Sequence, residues 1–173
     1  MIRPACPDDA PWLAQVHARA RRETYAGLLP PEAVDDVPPH ARLTRWRAIL
    51  AAGTSRVVVL PRAGFASTGP QRDAALADRF PREVYAIYLL RAAQGRGDGR
   101  ALLRAAWTGA PATVALVTGN RAEGFYRASG ARVLTRDADE TVMAWDADPW
   151  PDGAPTDRDP DQAPLRSTSG YPI

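Results

Sequence analysis

The chain has 173 residues, of which 45% are hydrophobic, and its 22 basic and 20 acidic residues leave a formal net charge of +2. That length suits one domain with a real core rather than two. The interleaved charges exclude the basic stripe that nucleic-acid binding needs, and the single cysteine, Cys6, excludes an internal disulfide or a cysteine metal cluster. His17 and His40 stand far apart without ligand spacing, so no metal is expected.

At the start of the chain Asp8, Asp9 and Pro11 stand where a signal peptide would be apolar, and no apolar run reaches membrane-spanning length. These features lead us to expect a soluble cytoplasmic protein without membrane partners. Met1 to Pro4 reads as a short strand, followed by N-cap candidates at Asp8 and Asp9. Trp12, Leu13, Val16 and Ala20 then recur at helical spacing, with His17 on the helix surface. The Tyr25 to Pro31 segment breaks that helix. A second follows Pro38-Pro39, with Leu43, Trp46, Ile49 and Leu50 inward and Gly53 at its end. Arg56 to Leu60 and Gly64 to Thr68 read as a hairpin turning at Pro61-Arg62-Ala63.

Residues 69 to 82 read as a mixed-charge loop with room for one helical turn. A strand from Glu83 to Leu90 follows, with Tyr85 and Tyr88 on opposite faces, so that only one of them faces a groove. Next come a glycine-rich turn and a helix of about three turns. Val114 anchors another buried strand, Arg121 to Ser129 a short helix, and two strands around Asp137-Ala138-Asp139 a closing hairpin. The expected fold is mixed α/β over residues 1–146. Residues 147–173 read as a Pro/Asp-rich, disordered tail, with six prolines between Pro149 and Pro172.

The glycine-rich turn is Gln94-Gly95-Arg96-Gly97-Asp98-Gly99-Arg100. A strand, a glycine turn and a helix start build an anion cradle, because glycines allow close backbone approach and the helix start offers unpaired N–H groups. A P-loop needs a lysine, and the chain has none. A dinucleotide fingerprint needs a third glycine where Arg100 stands. The phrase Gln-x-x-Gly-x-Gly does fit, on Gln94, Gly97 and Gly99. Further on, Asn120, Ala122, Phe125, Tyr126 and Gly130 form a second motif in strand–helix context.

Together these motifs resemble the GNAT superfamily of N-acetyltransferases. The resemblance implies a mostly antiparallel sheet flanked by helices, splayed at an acyl-CoA site. It also implies acetyl-CoA as co-substrate and a small-molecule or amino-acid-like primary amine as acceptor. Leu89, Leu90, Gln94, Gly95, Arg96, Gly97, Gly99, Arg100 and Asn120 would hold the cofactor, a backbone N–H of Leu89 or Leu90 meeting the thioester oxygen. Tyr126 would be the general acid and Glu83 the base that relieves an alkylammonium of its proton, a loss costing about 4–5 kcal/mol at neutral pH. On chemistry alone Glu83 reads equally as a solvated strand end; Tyr126 could also pack beneath the sheet, but its motif match favours the functional reading. The acceptor groove would be walled by Tyr25 to Pro31 and by the loop from Pro70 to Arg82, where Asp73 and Asp78 would suit a cation. A homodimer is allowed.

Three features depart from the family pattern. Asp98 replaces a branched aliphatic residue and is expected to cap the helix starting at Gly99. Arg91 and Ala93 replace a common proline and aromatic residue, and Asn120 lies six rather than seven residues before Tyr126. The alternative reading is a catalytically weakened acyl-CoA-binding or regulatory module.

Overall fold

The computed structural model describes residues 1–150. Strand β1 (Arg3–Pro4) leads through a 3-10 turn into α1 (Ala10–Tyr25), a one-turn α2 (Pro31–Val34) and α3 (Pro39–Ala52). The hairpin β2 (Arg56–Leu60) and β3 (Gly64–Pro70) precedes β4 (Arg82–Leu89), and then come α4 (Asp98–Ala106), β5 (Ala112–Val117), α5 (Ala122–Ala128), β6 (Arg132–Arg136) and β7 (Glu140–Trp145). The seven strands form one sheet in the order β1-β2-β3-β4-β5-β7-β6, antiparallel except for β4 and β5. The element order expected from sequence holds, with α2 added where the Tyr25 to Pro31 segment, read as a helix break, ends.

Alternation along the strands divides the core. Val57, Val59 and Phe65 face α1 and α3, packing with Leu13, Val16, Trp46 and Tyr88. Val58 and Ala66 point the other way, onto Leu102 and Ala106 of α4. A third cluster joins Leu103, Val114, Met143, Trp145 and Tyr126 beyond β4. Each fully buried side chain of the Leu, Val or Phe kind stabilises the fold by roughly 1.5–3 kcal/mol.

The packed chain extends past the expected domain end. Trp150 is buried, its ring 5.6 Å from that of Trp107. The rest of the expected tail, residues 151–173, lies outside the described residues.

His17 departs from its reading as a surface residue. It is 2% exposed, boxed by the rings of Trp46, Phe65 and Tyr88 at 5.9, 5.5 and 5.0 Å. Its position falls on the same face as Leu13 and Ala20, one helical turn from each. Burial, reinforced by the Arg42 guanidinium 3.5 Å from Nδ1, pushes its pKa down to about 2, so the ring is neutral.

Two features of β4 shape the ground on either side of it. It pairs with β5 only at Arg82↔Ala112 and Glu83↔Thr113, after which the two strands diverge. Against β3 the register shifts between Ser67 and Thr68, which pair with Ala86 and Val84, leaving Tyr85 as an extra residue.

Candidate active site

The divergence of β4 and β5 opens a cleft of about 610 Å3 between the end of α1, the glycine turn and the start of α5. Gln94, Gly95, Gly97, Gly99 and Arg100 line one side. Gly95 and Gly97 have φ of +79° and +84°, which a side chain would strain, and a Cβ on either would point into open space. The backbone amides from Gly95 to Arg100 precede the first bond of α4, from Ala101 N–H to the Gly97 carbonyl at 3.0 Å. They form the row of donors that a helix start presents to an anion. Gln94 braces the turn by donating from Nε2 to the Leu89 carbonyl at 2.8 Å.

Three expectations about this segment change. Arg96 is exposed and does not line the cleft, whereas Arg91 and Arg121 do. Asp98 is the first residue of α4 and makes no capping hydrogen bond; the N-cap is Gly97, because its positive φ turns the chain into the helix. Leu90 is not a free donor, since its N–H reaches the Ala63 carbonyl at 2.8 Å. Successive residues of a strand alternate their hydrogen-bonding edge. Leu89 therefore presents its N–H to the edge that β5 has left, the edge on which Gln94 holds its carbonyl.

Tyr126 lines the far wall, 5% exposed, with Phe125 and Trp145 rings at 5.1 and 5.8 Å. Burial, with Tyr25 nearby, raises its pKa above the ordinary phenol value, so the hydroxyl stays protonated. A Cβ on Gly99 would meet the Phe125 ring at 3.4 Å, an ordinary contact distance, so this glycine sits against α5. Asn120 is 8% exposed and lines the cleft. Its Oδ1 accepts the Ala122 N–H at 2.9 Å, which starts α5.

Tyr85 and Tyr88 both line the cleft, against the expectation from strict alternation, because the bulge at Tyr85 resets the period of β4. Tyr88 O–H donates to the Tyr25 hydroxyl at 3.4 Å. Tyr85 O–H donates to the Pro70 carbonyl at 2.7 Å, and the Arg72 guanidinium lies 4.3 Å from its ring centre.

Glu83 is not among the residues lining the cleft. It is 7% exposed and held by Arg72, whose Nε donates to Oε2 at 2.9 Å while Nη2 bonds Oε1. This buried, paired carboxylate is not the solvated strand end that the sequence also allowed. None of residues 70–82 lines the cleft, and Asp73 caps its own turn, accepting the Ala75 N–H at 2.9 Å. Among the described residues the one carboxylate on the lining is Glu23 of α1, which sequence reasoning passed over. Its Oε2 accepts the Arg91 N–H at 2.6 Å and its Oε1 the Arg19 Nε–H at 2.9 Å. The Arg91 N–H holds its pKa below the ordinary carboxylate value.

No family model matches the chain. It is 32% identical over 107 residues to the uncharacterised N-acetyltransferase YuaI of Bacillus subtilis (strain 168), and the match covers 59% of each protein, so the chain spans about three-fifths of that relative's length. Among solved structures, the PaiA N-acetyltransferase of Thermoplasma acidophilum in complex with coenzyme A superposes with a TM-score of 0.64 at 16% identity, covering 83% of this chain and 96% of that one. An acetyltransferase of Thermus thermophilus gives 0.63 at 19%, covering 84% and 95%. A GCN5-related N-acetyltransferase of Rhodopseudomonas palustris gives 0.58 at 18%, covering 83% and 93%. The mixed, mostly antiparallel sheet read from the two motifs is borne out.

Proposed function

We propose that this chain, which has the fold of the GNAT N-acetyltransferases, transfers an acetyl group from acetyl-CoA to a primary amine. The observation that carries this is the convergence of three donor sets on one cleft: the amides after Gln94, the Leu89 N–H at the splayed edge, and the Tyr126 hydroxyl. The residues fit the cofactor in charge and shape. The glycine turn offers open space and a row of amides to a pyrophosphate, and Arg91, Arg100 and Arg121 add positive charge along the lining.

Acetyl-CoA, when bound, supplies an activated acyl group on a good leaving thiol. The chain's residues orient it and stabilise charge. Leu89 N–H would meet the thioester oxygen, where donors matter most as negative charge develops. Tyr126, neutral at working pH, would donate to the departing sulfur. Thr24, Tyr25 and Tyr88 would wall the acceptor.

One observation favours the alternative of a binding or regulatory module: the Glu83 carboxylate, the family-like candidate for a base, is occupied by Arg72. Calorimetry with acetyl-CoA and a thiol-release assay with an amine panel test both readings. Absent binding at millimolar ligand overturns them together, and binding without thiol release under any amine favours the module.

A further inference from the structure

The cleft is short of groups that can take a proton. Among the described residues no histidine lines it, and its single carboxylate, Glu23, already accepts two hydrogen bonds, from Arg91 N–H and Arg19. The lowered pKa of Glu23 weakens it further as a base. Glu83 is ion-paired, and Asp73 is engaged in its own turn. An alkylamine of pKa about 10.4 offers roughly one unprotonated molecule in 2,500 at pH 7, and nothing on this lining improves that ratio.

Aromatic side chains, by contrast, are plentiful along the lining. Tyr25, Tyr85 and Tyr88 flank the point where β4 turns away from β5, with Tyr126 opposite. Tyr85 is rigidly held: Arg72 lies over its ring, its hydroxyl is fixed to Pro70, and Gly69 has no room for a side chain because Tyr85 atoms occupy the Cβ position. Such rings also attract an ammonium, but that favours the protonated form, which cannot attack. A flat aromatic body packs on them equally well without needing charge.

Resting on the acetyltransferase reading, we propose that the acceptor is a weakly basic aromatic amine, an arylamine or arylhydrazine that arrives unprotonated at neutral pH. Its nitrogen lone pair bonds to the acetyl carbon and the carbon–sulfur bond breaks. The proton shed by nitrogen ends on the sulfur, with the Tyr126 hydroxyl bridging, and no further reactant is needed.

The test is thiol release and amide formation at pH 7 with p-toluidine, phenethylamine and putrescine, alongside calorimetry with acetyl-CoA. The expected result is a kcat/KM for p-toluidine at least about tenfold above that for phenethylamine, with putrescine lowest. Tyr85→Leu is expected to raise the KM for p-toluidine about fivefold while acetyl-CoA affinity stays the same. Phenethylamine or putrescine as the better acceptor overturns the proposal and leaves the transferase reading standing. Bound acetyl-CoA with no thiol release from any of the three overturns this proposal, and the wider amine panel then decides the transferase reading.

Discussion

The Glu23 carboxylate accepts the backbone N–H of Arg91 at 2.6 Å, and the Arg91 guanidinium returns a bond to the Glu23 carbonyl at 3.3 Å. This double contact fastens the end of α1, which carries Tyr25, to the segment leading into the glycine turn. Glu23→Ala is therefore expected to weaken acetyl-CoA binding and raise the acceptor KM together, with a stability loss of about 1–2 kcal/mol. Because the folded pKa of Glu23 is depressed, its contribution is present above the ordinary carboxylate pKa and is lost as pH falls through the lowered value. Calorimetry, steady-state kinetics and urea melts of one variant check all three effects.

Tyr126→Phe removes one hydroxyl and keeps the ring packed against Trp145. If Tyr126 donates to the leaving sulfur, kcat falls roughly 100-fold or more while acetyl-CoA affinity is unchanged. An unchanged kcat would remove Tyr126 from the chemistry.

For Glu83 the ion pair and the base make opposite predictions. A base role predicts for Glu83→Gln a rate loss that shrinks as pH rises toward the amine pKa. The pair with Arg72 predicts instead an unchanged pH–rate profile and a stability loss of about 1–3 kcal/mol, because Arg72 is left half-buried beside a neutral amide. The geometry favours the second outcome, and pH–rate profiles with thermal melts separate the two.

Gly97→Ala meets no protein atom within 4 Å, so its folding cost is the strain of a positive φ, about 1–2 kcal/mol. The added methyl would point where a phosphate must come close. A loss of acetyl-CoA affinity of about tenfold or more, larger than the stability change explains, is expected by calorimetry.

His17 makes acid sensitivity specific. Its folded pKa is about 2 against an ordinary 6.5, so the unfolded chain binds the extra proton between those values. Its stabilisation is complete above pH 6.5 and falls below it, by up to about 1.4 kcal/mol per pH unit. From about pH 6.5 to about 5 the carboxylates contribute little, which isolates the histidine. Urea melts of His17→Leu are expected to lack this slope.

Local patterning makes much of this molecule legible in its sequence. The glycine turn and the Ala122–Tyr126 motif are readable because their chemistry is set by neighbours within a few residues. What stays hidden depends on register and on distant chain. One extra residue at Tyr85 turns both tyrosines into the cleft, and no spacing rule announces a bulge whose cause lies in pairing with β3. Arg72 sits in a stretch read as mixed-charge loop, and only the fold brings it to Glu83. Leu90 is lost as a donor to the carbonyl of Ala63, in the turn between β2 and β3. His17 looks superficial because imidazole is polar, yet its helical position is a core position.

With only two rungs joining β4 to β5, the sheet is two wings hinged at Arg82 and Glu83. If acetyl-CoA binds in the wedge and bonds the freed edge of β4, it would add rungs that the polypeptide does not supply there. Occupancy should therefore be felt mechanically as well as chemically: the wings stiffen against each other, and slowed hydrogen exchange at Leu89 would register it before any turnover is measured.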